Sequence, residues 1–103
     1  MTPEKKIQNS IINYFKELEK LGYYVYVERR QAGGLSYKKG QPDLYAVCYG
    51  KHIEIEIKAP DGKRSPLQEK WETRCKKLKI LYCLAYDLED VKNFIYFHFN
   101  IKI

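Results

Sequence analysis

From Ile53 to Lys58 apolar and charged residues alternate one for one, the pattern of a β-strand with one buried and one polar face. Ile53, Ile55 and Ile57 share the face that seeks the core. Glu54, Glu56 and Lys58 share the other, each roughly 7 Å from the next along the strand. Upstream, Leu44 to Tyr49 is apolar and aromatic, and Gly50-Lys51 has the chemistry of a two-residue type II′ turn. The two arms predict a β-hairpin. Gly40-Gln41-Pro42-Asp43 leads into it and puts Asp43 at the start of the first arm, near the end of the second.

The remaining elements follow from periodicity and punctuation. Thr2-Pro3 reads as a helix start, an N-cap with proline at the first helical position. Ile7, Ile11, Tyr14 or Phe15, and Leu18 recur at three and four, predicting an amphipathic helix to about Leu21 that Gly22 ends. Tyr23 to Val27 is β-branched and aromatic and predicts the first strand. Residues 28–41 form a long connection carrying Arg29, Arg30, Tyr37, Lys38 and Lys39. After the hairpin, Ala59-Pro60-Asp61-Gly62 is turn chemistry. Ser65-Pro66-Leu67-Gln68 then reads as a capping box opening a second helix. Leu67, Trp71, Cys75 and Leu78 lie along one stripe of it, which assigns Trp71 to the core or to a dimer interface. Ile80 to Tyr86 is apolar enough to predict a central strand covered on both faces. Asp87 caps a short helix, Leu88 to about Phe94. The tail from Ile95 to Ile103 alternates like a strand, either an added edge strand or one that pairs with a second copy.

Composition fits a single folded domain over residues 1–103, with 45% hydrophobic residues. No apolar run approaches the roughly 20 residues of a membrane span, and the first residues do not read as a signal peptide. Cys48, Cys75 and Cys83 include no Cys-x-x-Cys pair, and their odd number predicts free thiols in a reducing compartment. Neither His52 nor His98 has zinc-ligand spacing to them. The formal charge is +6, with seven Lys or Arg against three acids in residues 61–80. A basic balance suits a polyanionic partner, of which nucleic acid is the commonest.

Two carboxylates converging at the hairpin mouth repel each other, at a cost of about 4 kcal/mol for ~4 Å separation and an effective dielectric of ~20. A cation relieves such a cluster, and hard oxygen ligands suit Mg²⁺ or Mn²⁺. Pro42-Asp43 followed by Glu56-Ile57-Lys58 resembles the Pro-Asp…(Asp/Glu)-x-Lys signature of the restriction-endonuclease-like nucleases. With Gly40 before it, Ser65-x-x-Gln68 after it, and Glu4 and Gln8 on the first helix, the chain resembles a small stand-alone virus-type replication-repair nuclease (VRR-NUC) domain. The resemblance covers nearly the whole chain.

That resemblance implies an α/β fold with an αβββαβ core, a mixed central sheet flanked by helices. It implies a Mg²⁺- or Mn²⁺-dependent deoxyribonuclease acting on branched DNA, such as a Holliday junction, in replication, recombination or repair. The metal would be held by Asp43, Glu56, the main-chain carbonyl of Ile57, and Glu4. Lys58 would orient the attacking water, and Gln68 would position water or backbone. Glu54, on the same face, falls outside the signature and is expected to be a solvated neighbour or a supporting group. Glu4 and Gln68 also have plain structural explanations, as a first-turn acid on the helix dipole and as half of a capping box. For DNA contact the resemblance points to Arg30, or to Arg29 if the alignment slips by one. Tyr37, Lys38 and Lys39, basic and aromatic residues on a long loop, suit backbone contact and base stacking. A homodimer, no organic cofactor, no membrane, and the cytoplasm of a bacterial or phage-infected cell complete the expectation. The rival classes are a DNA-binding module that kept the fold without cutting, and a protein-interaction domain.

Overall fold

The computed structural model describes residues 1–30 and 40–103. The order is α1 (Pro3–Lys20), β1 (Val25–Arg29), β2 (Leu44–Cys48), β3 (Lys51–Ile57), α2 (Pro66–Lys77), β4 (Leu81–Ala85) and α3 (Leu88–Phe99). The strands form one sheet in the order β1-β2-β3-β4. β1, β2 and β3 are antiparallel neighbours, whereas β4 joins β3 in parallel, as it must when a helix carries the chain between them. The sheet is therefore mixed.

Strand alternation gives the sheet two unlike faces. Val25, Leu44, Ala46, Cys48, Ile53, Ile55, Cys83 and Ala85 point to one side, where they are buried with Ile11, Phe15 and Leu18 of α1 and Val91 and Ile95 of α3. This is the core. The other face carries Tyr45, Glu54, Glu56 and Tyr82, and α2 with its leading loop lies over part of it.

Helix ends follow their capping chemistry. The Thr2 hydroxyl accepts from the Lys5 amide, and Pro3 begins α1. Ser65 and Gln68 form the reciprocal capping box of α2. Asp87 accepts from the Asp90 amide at the start of α3.

Three expectations are corrected. The hairpin turn is Tyr49-Gly50, not Gly50-Lys51, because Cys48 pairs with Lys51. Both central residues have positive φ (49° and 79°), the type I′ geometry that follows the natural strand twist. The shift moves the register by two residues and so keeps every side chain on its expected face. β4 lies at a sheet edge; its apolar run reflects cover by helices above and below, not a strand on each side. The tail is not a strand. α3 runs on to Phe99, since helical spacing buries Val91 and Ile95 on one line, and Asn100 ends it in the left-handed region (φ 58°). Ile101 then turns back into the core. On α2 only Cys75 is buried; Leu67 and Leu78 are exposed and Trp71 is half-buried under the Arg74 guanidinium. Among the described residues no helix is long and apolar enough to cross a membrane, and the three cysteines are buried and free.

Candidate active site

The site forms where β2 begins and β3 ends. Pairing of Leu44 with Ile55 sets the hairpin register, so one step further Asp43 falls opposite Glu56. A cavity of about 230 Å³ opens there, lined by Gly40, Gln41, Pro42, Asp43, Glu56, Ile57, Lys58, Ser65 and Gln68. Asp43, the run Glu56-Ile57-Lys58, and Gln68, from three separate stretches of sequence, thus line one cavity. Glu4 reaches the same corner from the first turn of α1, where its Oε1 lies 3.4 Å from the Ala59 amide.

Gly40 makes this approach possible. Its φ is +89°, and a Cβ placed on it would lie 2.7 Å from the Leu67 Cβ and 2.9 Å from the Leu67 carbonyl carbon and oxygen. The strand lead-in and the first turn of α2 therefore meet backbone to backbone, at a contact and a conformation both reserved for glycine.

The carboxylates have different surroundings. Burial raises the Asp43 carboxyl above its ordinary pKa, and the charge of Glu4 raises it further, against the opposing pull of Lys5, Lys58 and Arg30. Asp43 as a whole residue is nevertheless exposed, so the desolvation acts on a carboxyl still open to the solvent side. Glu56 is only 1% exposed. Its Oε2 accepts from Arg64 Nε and its Oε1 from Arg64 Nη2, both at 3.1 Å, and the Tyr82 hydroxyl also donates to Oε1. Arg64 extends the chain to Glu72 at 2.7 Å, and Lys76 closes it at 2.9 Å. Burial alone would raise the Glu72 carboxyl; Lys76 and Arg64 outweigh it and hold it low. Tyr82 is pushed up by burial and by its bond to Glu56. Lys58, by contrast, makes no ion pair within 4 Å among the described residues.

Of the two expectations for Glu54, a solvated neighbour or a supporting group, the structure fits the second. Glu54 is 3% exposed rather than solvated, and Arg30 binds it through two parallel bonds of 2.6 and 2.7 Å. His52 Nε2 also meets it. Arg30 is thus engaged internally, and Arg29 bonds Asn9 of α1 at 2.9 Å. Tyr37, Lys38 and Lys39 lie outside the described residues. Gln68 spends its amide oxygen on the capping box, 2.9 Å from the Ser65 amide, while lining the cavity. Gln8 is buried in α1, its amide oxygen without a hydrogen-bond partner among the described residues.

Sequence reasoning missed Arg64 and Tyr82. Arg64 looked like one more surface cation in a basic stretch, and Tyr82 like one more residue of an apolar strand. The available signal was a phenol in a strand next to an acidic one, where a buried hydroxyl needs a partner.

No protein-family model matches the chain, and no curated protein does. Two solved structures share its fold. One, named "VRR_NUC domain", superposes with a TM-score of 0.74 at 21% identity, covering 96% of this chain and 99% of that one. Another, named "VRR_NUC domain protein", also gives 0.74, at 18% identity over 99% of this chain and 92% of its own. The chain therefore has the restriction-endonuclease-like fold of these domains, over nearly its whole length.

Proposed function

We propose that this protein is a nuclease that hydrolyses DNA phosphodiester bonds with the help of Mg²⁺ or Mn²⁺. The observation that carries the reading is the single cavity shared by Asp43, Glu56, Ile57, Lys58 and Gln68, with Glu4 at its corner. The names of the two structural neighbours support the same class.

The donor set fits a hard divalent cation: two carboxylates with a main-chain carbonyl alongside, in a cavity open to solvent. Burial and, after it, the like charge of Glu4 disfavour the ionised form of Asp43, a penalty that a bound cation would offset. Asp43, Glu56 and the Ile57 carbonyl would hold the ion, with Glu4 beside them. Bound there, it would lower the pKa of water and neutralise charge on the phosphate. Lys58, its ammonium not tied up in an ion pair among the described residues, orients the attacking water and meets charge as it develops. Gln68 positions water or the DNA backbone. For contact with the DNA backbone we assign Arg29, Lys38 and Lys39, with Tyr37 stacking on a base.

The substrate shape we propose is branched DNA, cut by a homodimer that offers one site to each of two strands. Support for a dimer comes from the aromatic surface of α3, where Phe97 is 82% exposed beside a groove of about 580 Å³ that includes Tyr86, Phe94 and His98.

A specific observation favours one other reading, a DNA-binding module that does not cut. Glu56 is held by Arg64 and Tyr82, and no group of three or more His, Cys, Asp or Glu suited to a metal occurs among the described residues. One assay separates the two. Labelled four-way junction, flap and duplex DNA are incubated with Mg²⁺, with Mn²⁺ and with chelator. The nuclease reading expects cutting that needs metal and disappears in Lys58→Ala. Binding of all three DNAs without cutting would establish the module instead. Sedimentation under cutting conditions checks the dimer, which a monomer would exclude.

A further inference from the structure

Arg30 uses its guanidinium inward. Nη1 donates to Glu54 Oε1 at 2.6 Å and Nη2 to Oε2 at 2.7 Å, the fork geometry that fixes an arginine most firmly. Nη1 donates a second time, to the carbonyl of Pro42 at 2.7 Å. The Arg30 main-chain amide donates to the carbonyl of Asp43, also at 2.7 Å. One residue therefore grips the carbonyls on both sides of Asp43's amide nitrogen, those of Pro42 and of Asp43 itself.

The surroundings hold the guanidinium in that role. Its carbon lies 4.7 Å from the centre of the Tyr45 ring, and Tyr45 stacks in turn on His52 at 5.1 Å and 13°. His52 Nε2 bonds the same Glu54 oxygen that accepts from Arg30 Nη2. Glu54 sits on β3 directly opposite Tyr45 of β2, so the sheet ladder itself sets where the carboxylate stands. Apolar residues would fill this space at least as stably as a buried ion pair. They could not hold the Pro42 carbonyl, which lies before the first paired residue of β2 and accepts from Arg30 Nη1.

We infer that Arg30 and Glu54 are positioning residues for Asp43. Glu54 locks the guanidinium, the guanidinium fixes the Pro42-Asp43 backbone, and that backbone aims the Asp43 carboxylate into the cavity. The catalytic consequence rests on the nuclease reading; the backbone consequence does not. A misplacement of about 1 Å at a reacting group costs on the order of a hundredfold in rate, so a clamp of this kind acts on turnover rather than on substrate binding.

The test compares wild type with Glu54→Gln, Arg30→Lys and the double variant. Glu54→Gln keeps the shape and removes the charge, and Arg30→Lys keeps the charge and removes the fork. Two quantities are read: cleavage kinetics with Mn²⁺ at several salt concentrations, and hydrogen exchange of the main-chain amide of residue 30 by NMR. Each single variant is expected to lower kcat about tenfold or more, with KM and salt dependence within about twofold of wild type. The double variant should be no slower than the worse single one, since both changes break the same clamp. The main-chain amide of residue 30 should exchange at least about tenfold faster in each, while the Ile53 and Ile55 amides in the core keep their protection. If Arg30→Lys instead raises KM and flattens the salt dependence while Glu54→Gln leaves kcat unchanged, Arg30 is a phosphate contact and the inference is wrong. Should wild type cut no DNA, the nuclease reading fails by itself. The exchange data then decide the clamp: faster exchange at residue 30 upholds it and unchanged exchange overturns it.

Discussion

Arg64 donates to both oxygens of Glu56 at 3.1 Å, so the carboxylate at the centre of the cavity wall already has a cation. A metal ion at this site must share Glu56 with that guanidinium or displace it toward Glu72, which Arg64 also contacts at 2.7 Å. The arrangement keeps a buried acid paired when no metal is bound.

Arg64→Ala should therefore act in two directions. In chelator it leaves Glu56 buried without its partner, a loss of about 3 kcal/mol. With the competitor gone, Mn²⁺ should bind about tenfold more tightly, and added Mn²⁺ should recover part of the lost stability through binding to the folded state. Thermal midpoints with and without Mn²⁺, together with titration calorimetry, check both. Equal losses in chelator and in Mn²⁺ would remove Arg64 from any relation to the metal.

Asp43→Asn should abolish cleavage and yet stabilise the fold. A raised carboxyl pKa means the folded state holds the proton more tightly than the unfolded chain does. The ionised carboxylate is thus destabilising at neutral pH, and the penalty fades as the pH falls through the folded-state value. The gain should be present at pH 7 and absent at pH 3, and screening at this open position keeps it small. Urea denaturation of both proteins at the two pH values measures the difference.

Gly40→Ala should cost about 2–3 kcal/mol, combining left-handed backbone strain with overlap against Leu67. Because Gly40 also lines the cavity, cleavage should fall further than stability alone explains. A denaturant midpoint and a rate at a temperature where the variant is fully folded separate the two effects.

Alkaline pH should destabilise the protein through its thiols. Burial pushes Cys48 and Cys75 up to about 11 and Cys83 up to about 12, from 9.0. The folded state keeps these protons while the unfolded chain releases them, so stability is level below pH 9 and falls as pH rises above it. Tyr14, pushed up to about 12 by burial, adds to the loss above pH 10. Chemical denaturation at pH 7, 9 and 10.5 gives the slope, and slow reaction of native thiols with Ellman's reagent checks their burial.

Much of the molecule was legible one element at a time. Alternation along Ile53–Lys58 placed Ile53 and Ile55 in the core with Ile57 packed against it, and two glutamates together, because strand side chains change face at every residue whatever the rest of the chain does. Thr2, Ser65 and Asp87 announced their helices through hydrogen bonds made within three residues. Tertiary structure decided what depends on distant partners. Ile95 to Ile103 alternates as a strand would, but packing of Val91 and Ile95 against the sheet and α1 carried the helix on to Phe99. Only the sheet register set Asp43 opposite Glu56. Only the closing of the β3–α2 loop brought Arg64 onto that carboxylate. The sequence alone made Glu54 and Glu56 neighbours on one face, whereas the fold gave each its own arginine, because a buried carboxylate needs a paired charge that its own strand does not supply.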